Sequence, residues 1–141
     1  SDIVVDSCVI AKWFLPEPDS LQAEAILTDA TTRGNQLVVV DIALAEVANV
    51  IWKYQRQGKI TADEARANLA ALRATPLHIL PAAPLLTVAL EIAMKYDRAV
   101  YDALFVALAI DLGLQGVTAD EPLVNVVGGD YPQVILLRNW P

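Results

Sequence analysis

Apolar positions follow two rhythms along this chain. Ile3-Val4-Val5, closing on Asp6, and Leu37-Val38-Val39-Val40 are short β-branched runs without polar alternation, which predicts strands covered on both faces of a sheet. Between them Asp19-Ser20-Leu21-Gln22 reads as a capping box for a helix running towards Gly34, a fitting C-terminal stop. A long helix is predicted from Ile42 to Gln57, with Asp41 as its N-cap and Gly58 as its end. Thr61-Ala62-Asp63-Glu64 is a second capping box; its helix stops before Pro76 and folds back on its predecessor. Leu77 to Leu80 is a candidate third strand. Pro84 stands near the start of a helix reaching Tyr96, and a further helix spans Asp102 to Leu112 before Gly113. Gly116-Val117-Thr118 leads out of a late strand and Val134 to Leu137 forms a last one. Strands alternating with helices predict an α/β three-layer sandwich, a central parallel sheet flanked by helices, as one domain over residues 1–141.

Composition narrows the class. A chain of 141 residues buries about 70% of its unfolded surface on folding, so a core can form without disulfides or structural metal. The 55% hydrophobic content excludes disorder. No apolar stretch approaches the ~18 residues of a transmembrane helix and no secretory pattern opens the sequence, so a cytoplasmic protein without membrane association is expected. Cys8 is the one cysteine, which excludes an internal disulfide and a Cys-rich zinc site. Acidic residues outnumber basic ones 17 to 10, a net charge of -7. That balance opposes nonspecific adhesion to nucleic acid, so chemistry on nucleic acid would need metal cations or a local basic patch.

Four carboxylates interrupt apolar surroundings. Asp6 ends the first strand, Asp102 opens a nearly all-apolar helix, and Asp120 follows a late strand. Ligands of open parallel sheets gather at the carboxyl ends of the strands, which would put Asp6 and Asp120 on one rim, with Asp102 joining them from its helix start. Glu46 lies on a polar stripe with Asn49, Lys53 and Arg56 at three- and four-residue spacing, while Ile42, Val47, Val50, Ile51 and Trp52 fill the rest of a helix expected to be mostly buried. An anionic polymer could pass from the carboxylate onto the cations. Four like charges in one pocket would raise one another's pKa values unless divalent cations neutralised them. Oxygen-only ligation favours Mg²⁺ or Mn²⁺, and such ions can activate water for hydrolysis of a phosphodiester.

Each acid also has a purely structural explanation. Asp102 could cap its helix, and Thr118-Ala119-Asp120-Glu121 is itself a capping-box pattern. Glu46 could face solvent, and Asp6 could simply end a strand. Lys53, Arg56 and Lys59 could be a solvated helix end rather than an RNA track. His78 has no second histidine with which to share a metal, Cys8 reads as a small buried hydrophobe, and Trp13, Phe14 and Leu15 read as core or contact residues.

With these residues in place, the sequence resembles the PIN-domain ribonucleases, in particular the VapC-like toxins of type II toxin–antitoxin systems. Ile3-Val4-Val5-Asp6-Ser7 followed by Ala11-Lys12-Trp13-Phe14-Leu15, then Glu46-Val47-Ala48-Asn49, Tyr101-Asp102-Ala103-Leu104 and Val117-Thr118-Ala119-Asp120, match that family's pieces in order. The resemblance implies a metal-dependent endoribonuclease with an acidic pocket for Mg²⁺ or Mn²⁺. It makes Asp6 and Asp102 direct metal ligands, with Asp120 and Glu46 completing the pocket and orienting waters. Ser7, Asn49 and Thr118 become hydrogen-bonding groups behind them. It further implies an RNA substrate, a homodimer, and a cognate antitoxin whose basic tail occupies the pocket, which suits the acidic charge. Asp41 departs from the proline that relatives often carry before the glutamate helix. The competing expectations are a catalytically silent PIN-like interaction module and a phosphoacceptor receiver domain. Against the latter, Ser7 stands where a paired acid is expected, and no lysine follows Lys95.

Overall fold

In the computed structural model, which describes all 141 residues, the five apolar runs form strands β1 (Ile3–Val5), β2 (Leu37–Val40), β3 (His78–Leu80), β4 (Gln115–Thr118) and β5 (Val134–Leu136). They pair in parallel in the order β3-β2-β1-β4-β5. Seven helices connect and cover them: α1 (Ser7–Ala11), α2 (Ser20–Arg33), α3 (Ile42–Arg56), α4 (Ala62–Ala74), α5 (Leu86–Tyr96), α6 (Val100–Leu112) and α7 (Glu121–Val127). This is the expected three-layer sandwich. The strand order excludes the receiver-type order 2-1-3-4-5.

The unalternating runs follow from two apolar layers. Val38 and Val40 join the core formed with α5, α6 and α7, whereas Leu37 and Val39 join the core formed with α1 to α4. Helix α6 is buried without interruption from Ala103 to Ala109, because it lies across the sheet between α5 and the strands. Gly116 permits its close approach: a Cβ there would stand 2.9 Å from Cζ of Phe105 and 3.2 Å from Cβ of Ala109.

Several local expectations were overridden. Thr61 and Glu64 form the predicted capping box, but Asp19 has a left-handed backbone (φ 61°) and its side chain caps nothing. Asp41 does not cap α3 either; its Oδ1 accepts from the Ala82 backbone N–H, tying the end of β2 to the segment after β3. Helix α6 begins two residues before Asp102, so this residue lies in the first turn rather than at the cap. Helix α3 is not mostly buried: only Ala43, Val47 and Ile51 are, and Trp52 is 49% exposed. Its inward face, packed on α1 and α4, is narrower than the apolar count implied.

The topology fixes where chemistry can collect. The chain leaves β1 for β2 on one side, and β4 enters on the other, so β1 and β4 form the switch point of the sheet. Their carboxyl ends carry Asp6 and Asp120.

Candidate active site

Asp6 is built in by both its neighbours. The β1–β4 register places Val5 opposite Val117, and Asp6 N–H bonds the carbonyl of Val117 at 3.1 Å. The Asp6 side chain then caps α1, with Oδ1 accepting from Ser7 N–H at 2.9 Å. Its Oδ2 accepts from the hydroxyl of fully buried Thr118 at 2.8 Å and faces the Cys8 thiol at 3.6 Å. Thr118 Oγ1 in turn accepts from Asp120 N–H at 3.1 Å. Two strand ends 112 residues apart are thus stitched through one hydroxyl. Burial pushes the Asp6 pKa up to about 6; the hydrogen bonds from Thr118 and Ser7 oppose the rise and the charge of Asp102 adds to it.

Glu46 comes from the first half of α3 and is raised further, to about 7, by burial first and then by repulsion from Asp6, with a smaller push from Asp102 and an opposing pull from Ser7. Burial is the larger cause in both, and the added repulsion from neighbouring carboxylates is that of acids sharing one rim. Glu46, Asn49 and Tyr101 line a shallow hollow of about 330 Å³ with Ile42 and Ala45. The site is a rim rather than a deep cleft: a larger cavity of about 460 Å³ opens at the opposite edge of the sheet, among Ile3, Leu37 and Gln115, with none of the four acids.

Asp102 and Asp120 are joined by a residue that sequence reasoning missed. Arg98 lies in the three-residue link between α5 and α6, just after Asp97, whose left-handed φ of 54° turns the chain. A single guanidinium nitrogen, Nη2, donates to Oδ2 of Asp102 at 2.9 Å and to Oδ2 of Asp120 at 2.6 Å. The Asp102 pairing is an i,i+4 contact legible in principle from the sequence; the Asp120 pairing depends on the sheet. Asp120 also has a structural duty, one residue pair on from the expected Thr118 capping box: Asp120 itself is the N-cap of α7, its Oδ1 accepting from Leu123 N–H at 3.1 Å.

Cys8 is more than a small hydrophobe. Its Sγ accepts from Ala119 N–H at 3.2 Å and lies 3.4 Å from Thr118 Oγ1, which braces the β4 end against α1. Burial, reinforced by the Asp6 charge, pushes its thiol up to about 12, so it stays protonated. Lys12, 9% exposed, pairs with Glu17 at 3.6 Å, and Tyr54 of α3 donates to the same carboxylate at 2.7 Å. This fastens the α1 end, which follows Asp6, to the helix that bears Glu46. Lys53 and Arg56 are exposed on α3, and the Arg56 guanidinium rests over the Trp52 ring at 4.8 Å.

The donor set is all oxygen and carries more negative charge than Arg98 neutralises, which is the chemistry a hard divalent cation requires. As the side chains stand, no three of the His, Cys, Asp and Glu residues are arranged to hold a metal ion. Arg98 instead lies between Asp102 and Asp120.

Comparison with known proteins agrees with this architecture. A family model described as the PIN domain matches residues 3–128. Ribonuclease VapC3 of Pyrobaculum aerophilum is 38% identical over 127 residues, 87% of this chain and 92% of that protein. Among solved structures, PAE2754 from Pyrobaculum aerophilum superposes with a TM-score of 0.71 at 24% identity, covering 97% of this chain and 84% of that one. VapC20 of Mycobacterium tuberculosis, described as a sarcin-ricin loop cleaving toxin, gives a TM-score of 0.66 at 18% identity over 87% and 93% of the two chains. A toxin–antitoxin complex from Klebsiella pneumoniae gives 0.64 at 17% identity over 96% and 97%. These structural likenesses establish a shared fold.

Proposed function

This chain belongs to the PIN-domain family, and from that premise we propose that it is a metal-dependent endoribonuclease, the toxin of a toxin–antitoxin pair. The observation that supports the reading is the linkage of Asp6 to Asp120 through Thr118, and of Asp120 to Asp102 through Arg98, at the carboxyl ends of β1 and β4, with burial and neighbouring charge raising both Asp6 and Glu46 of α3. Homology to a ribonuclease along 87% of the chain supports RNA as the substrate. In this reading Asp6 and Asp102 hold Mg²⁺ or Mn²⁺, and Glu46 and Asp120 complete the pocket. The bound ion would neutralise the clustered charge and activate water for attack on a phosphodiester.

The chain's own groups do the positioning. Thr118 and Ser7 fix both oxygens of Asp6 by hydrogen bonds, so its carboxylate cannot rotate away from the pocket. Glu46, at the hollow it shares with Asn49, orients water by accepting hydrogen bonds from it, and Asn49 offers an amide to the same hollow. Lys53 and Arg56, further along α3, lie where an RNA strand leaving the hollow would meet positive charge.

The partners follow the same reading. The fold is shared with proteins solved as toxin–antitoxin complexes, and the net charge of -7 suits an antitoxin with a basic tail. Leu86, Leu90 and Met94 form an exposed apolar row on α5, 49%, 50% and 62% accessible, which supports a homodimer. No helix is long and apolar enough to cross a membrane, in keeping with action in the cytoplasm.

The alternative, a PIN-like interaction module without catalysis, draws on one observation, the occupation of Asp102 and Asp120 by Arg98. One assay separates them. Purified protein with total RNA and Mn²⁺ should yield discrete cleavage ends that disappear in excess chelator and in Asp6→Ala and Asp102→Ala variants of native-like melting. Cleavage surviving in those variants, or in chelator, would remove the nuclease assignment.

A further inference from the structure

We infer that Arg98 is a resident counter-cation that competes with the metal, so that a divalent ion held by Asp6 and Asp102 beside Asp120 binds only as the guanidinium withdraws. This rests on the metal-dependent reading above and adds a residue of this chain that sets how readily the site loads.

The geometry is that of a bridging ion rather than an ordinary ion pair. A guanidinium normally meets a carboxylate as a fork, two nitrogens to two oxygens. Here one nitrogen serves two carboxylates, at 2.9 and 2.6 Å, on ground where a cation shared by both acids would stand. The seat is also imperfect. Arg98 Nε is buried and has no hydrogen-bond partner, and a buried donor left unpaired opposes the arrangement that buries it. Withdrawal would restore that donor to water. A route exists, because the Arg98 side chain is 23% exposed and springs from the short turn after Asp97 rather than from within a helix. A guanidinium keeps its charge at physiological pH, so it vacates the site by moving and not by giving up a proton.

Removing the competitor should therefore strengthen metal binding. Manganese alone, titrated calorimetrically into metal-stripped protein, should bind Arg98→Met about tenfold tighter than wild type, the order expected for losing two partly exposed charge-assisted bonds. Arg98→Lys, which keeps a cation on the same stem, should stay near wild type. In chelator Arg98→Met should melt below wild type, because the acids lose their counter-charge, and Mn²⁺ should raise its melting temperature by more. In the wild-type protein, the Arg98 Nε–H resonance should move on Mg²⁺ saturation as the side chain leaves. Equal or weaker Mn²⁺ affinity in folded Arg98→Met, or an Arg98 resonance indifferent to saturating Mg²⁺, would overturn the inference while leaving the metal site intact. Failure of wild type and variant alike to take up Mn²⁺ would overturn the metal reading, and this inference with it.

Discussion

Replacing Asp6 by asparagine should make the metal-free protein more stable, and the size of the effect can be worked from the site. Asp6 is 9% exposed, and burial lifts its pKa from 3.8 to about 6 despite the hydrogen bonds that favour its charge. The folded chain therefore holds this proton more tightly than the unfolded one. Below about pH 4 both states carry it and nothing is lost; as pH rises from about 4 to about 6 the unfolded state ionises first and stability falls; above about 6 the loss is complete. A rise of about two units corresponds to about 3 kcal/mol. Asparagine keeps the shape without the charge. Its oxygen can still accept from Ser7 N–H, but its amide must donate to Thr118, whose hydroxyl then turns to Cys8 Sγ, 3.4 Å away. Exchanging a charge-assisted bond for weaker ones costs about 1 kcal/mol. The net gain of about 2 kcal/mol should raise the melting temperature by about 6–8 °C at pH 8 in chelator for a chain of this size. By about pH 4.5 the gain should vanish, since the native carboxyl is then largely protonated. Calorimetric melting of both proteins in chelator across this range provides the test. An asparagine variant that melts no higher than wild type at pH 8, or a difference indifferent to pH, would refute the account of Asp6 as a desolvated charge.

Two other outcomes are expected. Since protons compete with metal for the carboxylates of Asp6 and Glu46, whose pKa values lie at about 6 and about 7, Mn²⁺ affinity should strengthen by about tenfold or more between pH 5.5 and 7.5; a flat calorimetric profile would show that these groups are not where the metal binds. Gly116→Ala should destabilise by about 1–3 kcal/mol in urea unfolding, because the added methyl would meet Phe105 at 2.9 Å and Ala109 at 3.2 Å; an unchanged midpoint would mean that α6 yields more easily than its burial suggests.

What sequence could convey here was local or periodic. The Thr61–Glu64 capping box spans four residues and needs nothing beyond its own turn, and the β-branched runs announce strands because each is covered on both faces. Where a polar side chain had a distant alternative, local pattern misled. Asp41 has the chemistry of a cap, yet its carboxylate serves Ala82, 41 residues away. The excess of apolar residues on α3 suggested burial, but the face that α1 and α4 cover takes in only Ala43, Val47 and Ile51.

The acids themselves were legible as residues that break apolar context, and their order along the chain carried the family resemblance. Their electrostatics were not. Whether Asp6 is raised or lowered depends on Thr118, 112 residues away, and on the burial that the β1–β4 pairing creates. Cys8 looked inert until Ala119 was brought against it, and Arg98 drew no attention until Asp120 arrived beside Asp102. Sequence by itself determined the strands, the helices and which side chains could bear negative charge, because hydrophobic period and short-range hydrogen bonds are written in neighbouring residues. Only the tertiary structure decided which charges share a desolvated rim and which cation stands among them, because Coulomb forces depend on distance and burial through space, and strand order sets both.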